Sequence, residues 1–140
     1  MVTEMETNGE DDCTFLVRAG RELIEQCGIG DDLRHRTLDP ANVPPELHPL
    51  ISCAEVWNVG DDYYRGDMLN RASSEVLRRL VQTVHKYIEP LNEWLEAQFI
   101  EFDQRGGKST DELYAFVWLR ASAVDALSKL RVKFGENHRL

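Results

Sequence analysis

The apolar positions of this chain recur at spacings of three and four over long stretches, the period of an amphipathic helix. Phe15, Leu16, Ala19, Leu23, Ile24 and Cys27 predict a first helix over about 12–27, stopped by Gly28. The stretch 33–45 holds Pro40, Pro44 and Pro45 and reads as a loop with room for one helical turn. A second helix is expected over 46–57, although Pro49 cannot sit deep inside it. Val76, Leu77, Leu80, Val81, Val84, Tyr87 and Ile88 predict a third helix over 74–88, with Ser73 as its N-cap. Leu91, Trp94, Leu95, Phe99 and Phe102 mark one side of a fourth over 90–104, with Pro90 at its first position and Gly106-Gly107 past its end. The last helix, over 110–134, carries Leu113, Phe116, Val117, Ala121, Val124, Leu127, Leu130 and Phe134. Ser109-Thr110-Asp111-Glu112 fits a capping box at its start. Lys129, Arg131 and Lys133 suit its negative C-terminal end, and Gly135 stops it. No stretch alternates, so no sheet is expected. The pattern predicts an all-α bundle of four to five helices. Its long C-terminal helix is central, and the short connections among the last three helices imply antiparallel neighbours.

One pattern echoes at an offset of 30 residues: Glu25-Gln26-Cys27-Gly28-Ile29-Gly30-Asp31-Asp32 resembles Glu55-Val56-Trp57-Asn58-Val59-Gly60-Asp61-Asp62. Gly28 and Asn58 are residues that enter the left-handed conformation past a helix end. The paired aspartates could then cap whatever helix begins next. Each copy therefore reads as a helix stop, a turn and a new start. Duplication and chance reuse of turn chemistry both remain open.

Composition limits the possible functions. The chain has 140 residues, enough for one domain with its own core, of which 42% are hydrophobic and 29% charged. Its net charge is −9, but residues 1–12 carry −5 of that with no base, leaving −4 for the rest. Residues 1–11 read as a loose acidic tail and 12–140 as a single helical domain. A concentrated basic face, which nucleic-acid binding needs, is missing. There is no apolar run of membrane-spanning length and no signal-like start, so a cytoplasmic protein without membrane contact is expected. Cys13, Cys27 and Cys53 form no close pair in sequence and read as small core residues.

Two segments concentrate functional residue types. Trp57-Asn58-Val59-Gly60-Asp61-Asp62-Tyr63-Tyr64-Arg65 joins aromatics, carboxylates and an arginine, the types that anchor protein interfaces. Trp57, Asp61, Asp62, Tyr63, Tyr64 and Arg65 are thus candidate partner-binding residues, against the plainer reading of a turn packed on the core. A calcium loop fails there, because Tyr63, Arg65 and Ala72 stand where oxygen ligands are required. On the fourth helix Glu89, Glu93, Glu96 and Asp103 share one face. That face is either simply solvated or a docking strip for a basic partner. His35, His48 and His85 show no metal-binding repeat, and the nucleophile-elbow, phosphate-loop and dinucleotide signatures are absent. No catalytic residue, metal or cofactor is assigned.

His48-Pro49-Leu50 together with Ala54-Glu55-Val56-Trp57-Asn58-Val59-Gly60-Asp61-Asp62 resembles a stretch of small bacterial all-helical proteins. The resemblance covers 44–96, including Leu91-Asn92-Glu93-Trp94-Leu95. It implies a bacterial origin and no activity. The leading expectation is a non-enzymatic module, immunity-like or regulatory, that binds another protein. The alternatives are a small helical enzyme or metal-binding protein using His35, His48 or His85 with nearby carboxylates, and a structural subunit of a homo-oligomer.

Overall fold

A computed structural model describes residues 11–26, 37–64, 67–107 and 109–134; at 60–64, 67, 68, 133 and 134 it describes the backbone. The described residues form six α-helices, two 3-10 segments and no strand. They are α1 (Asp12–Gln26), α2 (Ile51–Tyr64), α3 (Asp67–Arg71), α4 (Ser74–Lys86), α5 (Ile88–Gln104) and α6 (Asp111–Phe134). The 3-10 segments are Pro40–Asn42 and Pro45–Leu50. The protein is an all-α bundle with a long C-terminal helix. No helix among the described residues is long and apolar enough to cross a membrane.

The bundle is built by α1, α2, α4 and α6, with α6 at its centre against both α2 and α4. Ala115, Ala123 and Ala126 are fully buried on α6, and such small side chains let neighbouring backbones come close. Phe116, Leu119 and Leu130 fill the space between them. On α1, Leu16, Gly20 and Ile24 turn one stripe inward. On α4 the predicted stripe is the buried one, with Leu77, Leu80 and Val84 at its middle. Ser73 caps α4 as expected, accepting from the Val76 N–H at 3.3 Å. Past α5, Gly106 and Gly107 take positive φ angles of 71° and 80°, which glycine adopts without the Cβ clash.

Three boundaries differ from the sequence expectation. First, α2 does not stop at Asn58 but runs on to Tyr64. Val56, Trp57, Asn58 and Val59 are consecutive and all buried, so the middle of this helix is enclosed on every side and shows no amphipathic period. The second copy of the echo is therefore helix interior and not a turn. The first copy lies outside the described residues from Cys27 onward. Second, Pro45–Leu50 is a 3-10 segment that absorbs Pro49 just ahead of α2. Third, α5 begins at Ile88, so Pro90 is its third residue.

The cap of α6 also differs. Thr110 is the capping residue, accepting from the Leu113 N–H at 3.1 Å, while the Ser109 hydroxyl donates to the Thr110 carbonyl. Glu112 turns away from this cap and into the protein, where it is 5% exposed. It accepts from the Asp39 N–H at 3.0 Å and the Asn42 side-chain amide at 3.1 Å. Glu55 likewise accepts from the Leu38 N–H at 2.7 Å. Two carboxylates thus fasten the 37–43 loop to α2 and α6.

Candidate functional site

The predicted aromatic-acidic segment does not assemble as a surface turn. Trp57 is fully buried in the core, so its ring is not available to a partner. Asp61, Asp62, Tyr63 and Tyr64 stand on the last turn of α2, where the backbone is helical. Arg65 lies outside the described residues. The acidic strip is different. Glu89, Glu93 and Glu96 are all exposed on α5, and spacings of four and three place them on one face. Asp103, further along, is exposed as well. No Lys or Arg occurs between Ile88 and Gln104.

The apolar side of α5 is only partly used by the core. Leu91 and Leu95 are buried, and Trp94 meets Phe116 edge-on with ring centroids 5.4 Å apart. Phe99, expected to face inward, is instead 53% exposed, and Ile100 beside it is 64% exposed. Both line a shallow groove of about 480 Å³ with Leu95, Glu96, Asp103 and Arg120 of α6. Sequence reasoning missed this groove because Phe99 continues the period of Leu91 and Leu95. A period shows which residues share a face but not whether the chain itself covers that face.

The described histidines, His48 and His85, hold no common site. His35 lies outside the described residues. His48 is used structurally: its Nε2 lies 3.0 Å from the Pro40 carbonyl and 2.9 Å from the Val43 carbonyl, and a protonated Nε2 donates to both. His85 is exposed on α4. Among the described residues, no three His, Cys, Asp or Glu side chains gather where they could hold a metal ion.

A second concavity, of about 820 Å³, opens between α1, α4 and the Pro49–Ser52 stretch. Arg21, Glu22 and Lys86 stand in its lining, so its charge is mixed. Deeper in the same lining are Cys13, half-buried, and Thr83, which is 2% exposed and whose hydroxyl has no hydrogen-bond partner. The opening of α1 is firmly set beside it. Asp11 caps α1 by accepting from the Thr14 N–H at 2.7 Å. Arg79 of α4 pairs with Asp12 and Glu75, each at 2.9 Å, and lies 4.5 Å from the centre of the Phe15 ring. Cys13 and Cys53 share no motif, so the sequence held no signal for this cavity. Comparison with models of protein families, with curated proteins and with solved structures finds no match to this chain.

Proposed function

We propose that this protein is a non-enzymatic interaction module that docks through α5 onto a basic partner protein. The observation that carries the reading is the coincidence on one helix of exposed Phe99 and Ile100 with a run of carboxylates and no base. Large apolar side chains left in water cost hydrophobic free energy that a partner's surface recovers. The carboxylates speed the encounter and select for Lys or Arg on the other side. The fitting partner is an amphipathic segment whose apolar residues fill the groove and whose basic residues flank it. A bacterial cytoplasm is the setting we infer, where thiols such as Cys13 and Cys53 stay reduced.

The test is affinity capture from lysate of the source organism, repeated in rising salt and with Glu89, Glu93 and Glu96 changed to Lys. The reading expects one stoichiometric basic partner that is lost in high salt, because exposed charge pairs are screened there. It expects the same partner to be lost from the folded triple variant. Retention by that variant contradicts the reading.

A self-associating subunit is the second reading, favoured by α6. Tyr114 and Trp118 are 40% and 38% exposed and meet edge-to-face at 5.9 Å, and Val132 on the same side is 86% exposed. A dimer mass in solution that falls to a monomer in Trp118→Ser would support it, and a monomer mass for the unaltered protein would remove it.

A further inference from the structure

We propose that Cys13 and Cys53 form a hydroperoxide-responsive thiol pair, with Cys13 as the attacking sulfur in the cavity and Cys53 as the resolving sulfur behind it. The argument starts from position. Cys13 lies in the first turn of α1 and Cys53 in the first turn of α2, two helices packed on each other. The Cys13 thiol donates to the Pro49 carbonyl at 2.9 Å, and Pro49 lies one helical turn ahead of Cys53. The sulfur of Cys13 therefore sits over the start of α2, at the carbonyl four residues ahead of Cys53 on the chain.

Access separates the two roles. Cys53 is completely buried and cannot meet an oxidant from solution, whereas Cys13 lines the open cavity. Acidity orders the sulfurs the same way. The neighbouring thiol of Cys53, helped by the Cys53 N–H, lowers the Cys13 thiol below its ordinary range, against burial and the charge of Asp11. The bond to Pro49 opposes this, since only the protonated thiol makes it. Cys53 is held well above the ordinary thiol range, first by that same contact with Cys13 and then by burial. An attacker that ionises more readily than its resolver is the arrangement thiol oxidation requires.

The chemistry balances with a hydroperoxide as the oxidant. The Cys13 thiolate attacks the outer peroxide oxygen; an S–O bond forms, the O–O bond breaks, and the leaving alkoxide takes a proton to become an alcohol. Cys53 sulfur then attacks the Cys13 sulfenic acid. The S–S bond forms, the S–O bond breaks, and the departing hydroxide leaves as water with the Cys53 proton. Two thiols are oxidised to a disulfide and one peroxide is reduced. An external dithiol reverses the bond by exchange.

The experiment treats the folded full chain with hydrogen peroxide and maps its peptides by mass spectrometry without reduction. The expected result is a Cys13–Cys53 linked peptide lacking two hydrogens, which dithiothreitol removes, with Cys27 still open to alkylation. In Cys53→Ser the linked peptide should vanish and dimedone should trap a sulfenic acid on Cys13. Because Cys53 is in the core, Cys13→Ser is run in parallel; it should leave Cys53 unlabelled by dimedone. If neither Cys53→Ser nor Cys53→Ala folds, the unaltered chain and Cys13→Ser decide alone. Cys13 remaining reduced at peroxide concentrations that oxidise glutathione overturns the proposal, as does a disulfide formed through Cys27.

Discussion

Helices α4 and α5 are consecutive, separated only by Tyr87, yet they use their apolar residues differently. In α4, 13 residues long, six side chains are buried, and the stripe read from sequence is the face packed on α1 and α6. In α5, 17 residues long, only Leu91 and Leu95 are buried; the apolar side runs on past the core into solvent at Phe99, and Ile100 is exposed on the face of the carboxylates. The first helix contributes its hydrophobic free energy to folding. The second holds part of it in reserve, beside carboxylates that no base on the same helix offsets. An apolar period that outruns the core is what distinguishes a surface available for docking from one already spent on packing.

The comparison can be broken most forcefully at the core. Trp57→Ala should cost about 3–5 kcal/mol, the range for removing a large buried aromatic, measured by urea denaturation. A loss under about 1 kcal/mol would deny Trp57 its place at the centre of α2. Glu112→Ala should cost about 2 kcal/mol, because it removes two hydrogen bonds to a charged acceptor, from Asp39 and Asn42. Glu112→Gln, which keeps an acceptor, should cost less. The same denaturation curves check both.

A smaller effect is expected where α1 begins. Asp11→Ala should cost about 1 kcal/mol through loss of the N-cap. The hydrogen bond from the Thr14 N–H holds the Asp11 carboxyl below its ordinary value of 3.8, outweighing its partial desolvation. A depressed folded-state value means the stabilisation is present in full above 3.8 and is lost as pH falls through the lower folded value. The stability gap between the unaltered protein and Asp11→Ala should therefore close in strong acid. A gap that widened there would contradict the capping role.

Much of the architecture was legible because α1 and α4 carry a sustained period; on α6, Val124 of the stripe read from sequence is exposed, because that helix packs on more than one side. The extension of α2 was not legible, since a helix whose middle is buried all round loses its period there and Asn58-Val59-Gly60 imitates a helix stop. Glu112 was misread for a related reason. Local sequence offered it a capping box, but its partners lie some 70 residues away in the 37–43 loop, and tertiary hydrogen bonds won. The shared face of Glu89, Glu93 and Glu96 could be read from spacing alone. Exposure of Phe99 could not, because it depends on where α6 ends its cover of α5. Cys13 and Cys53 meet only through the packing of α1 on α2, which no local pattern encodes.

The most direct test of the account is a double variant, Phe99→Ser with Ile100→Ser, read for melting temperature and partner capture in the same preparation. Exposed positions contribute little to folding, so stability should stay within about 0.5 kcal/mol of the unaltered protein. The captured partner should be lost. A folded variant that keeps the partner, or one that unfolds because those side chains belong to the core, would contradict the assignment of α5 as the docking helix.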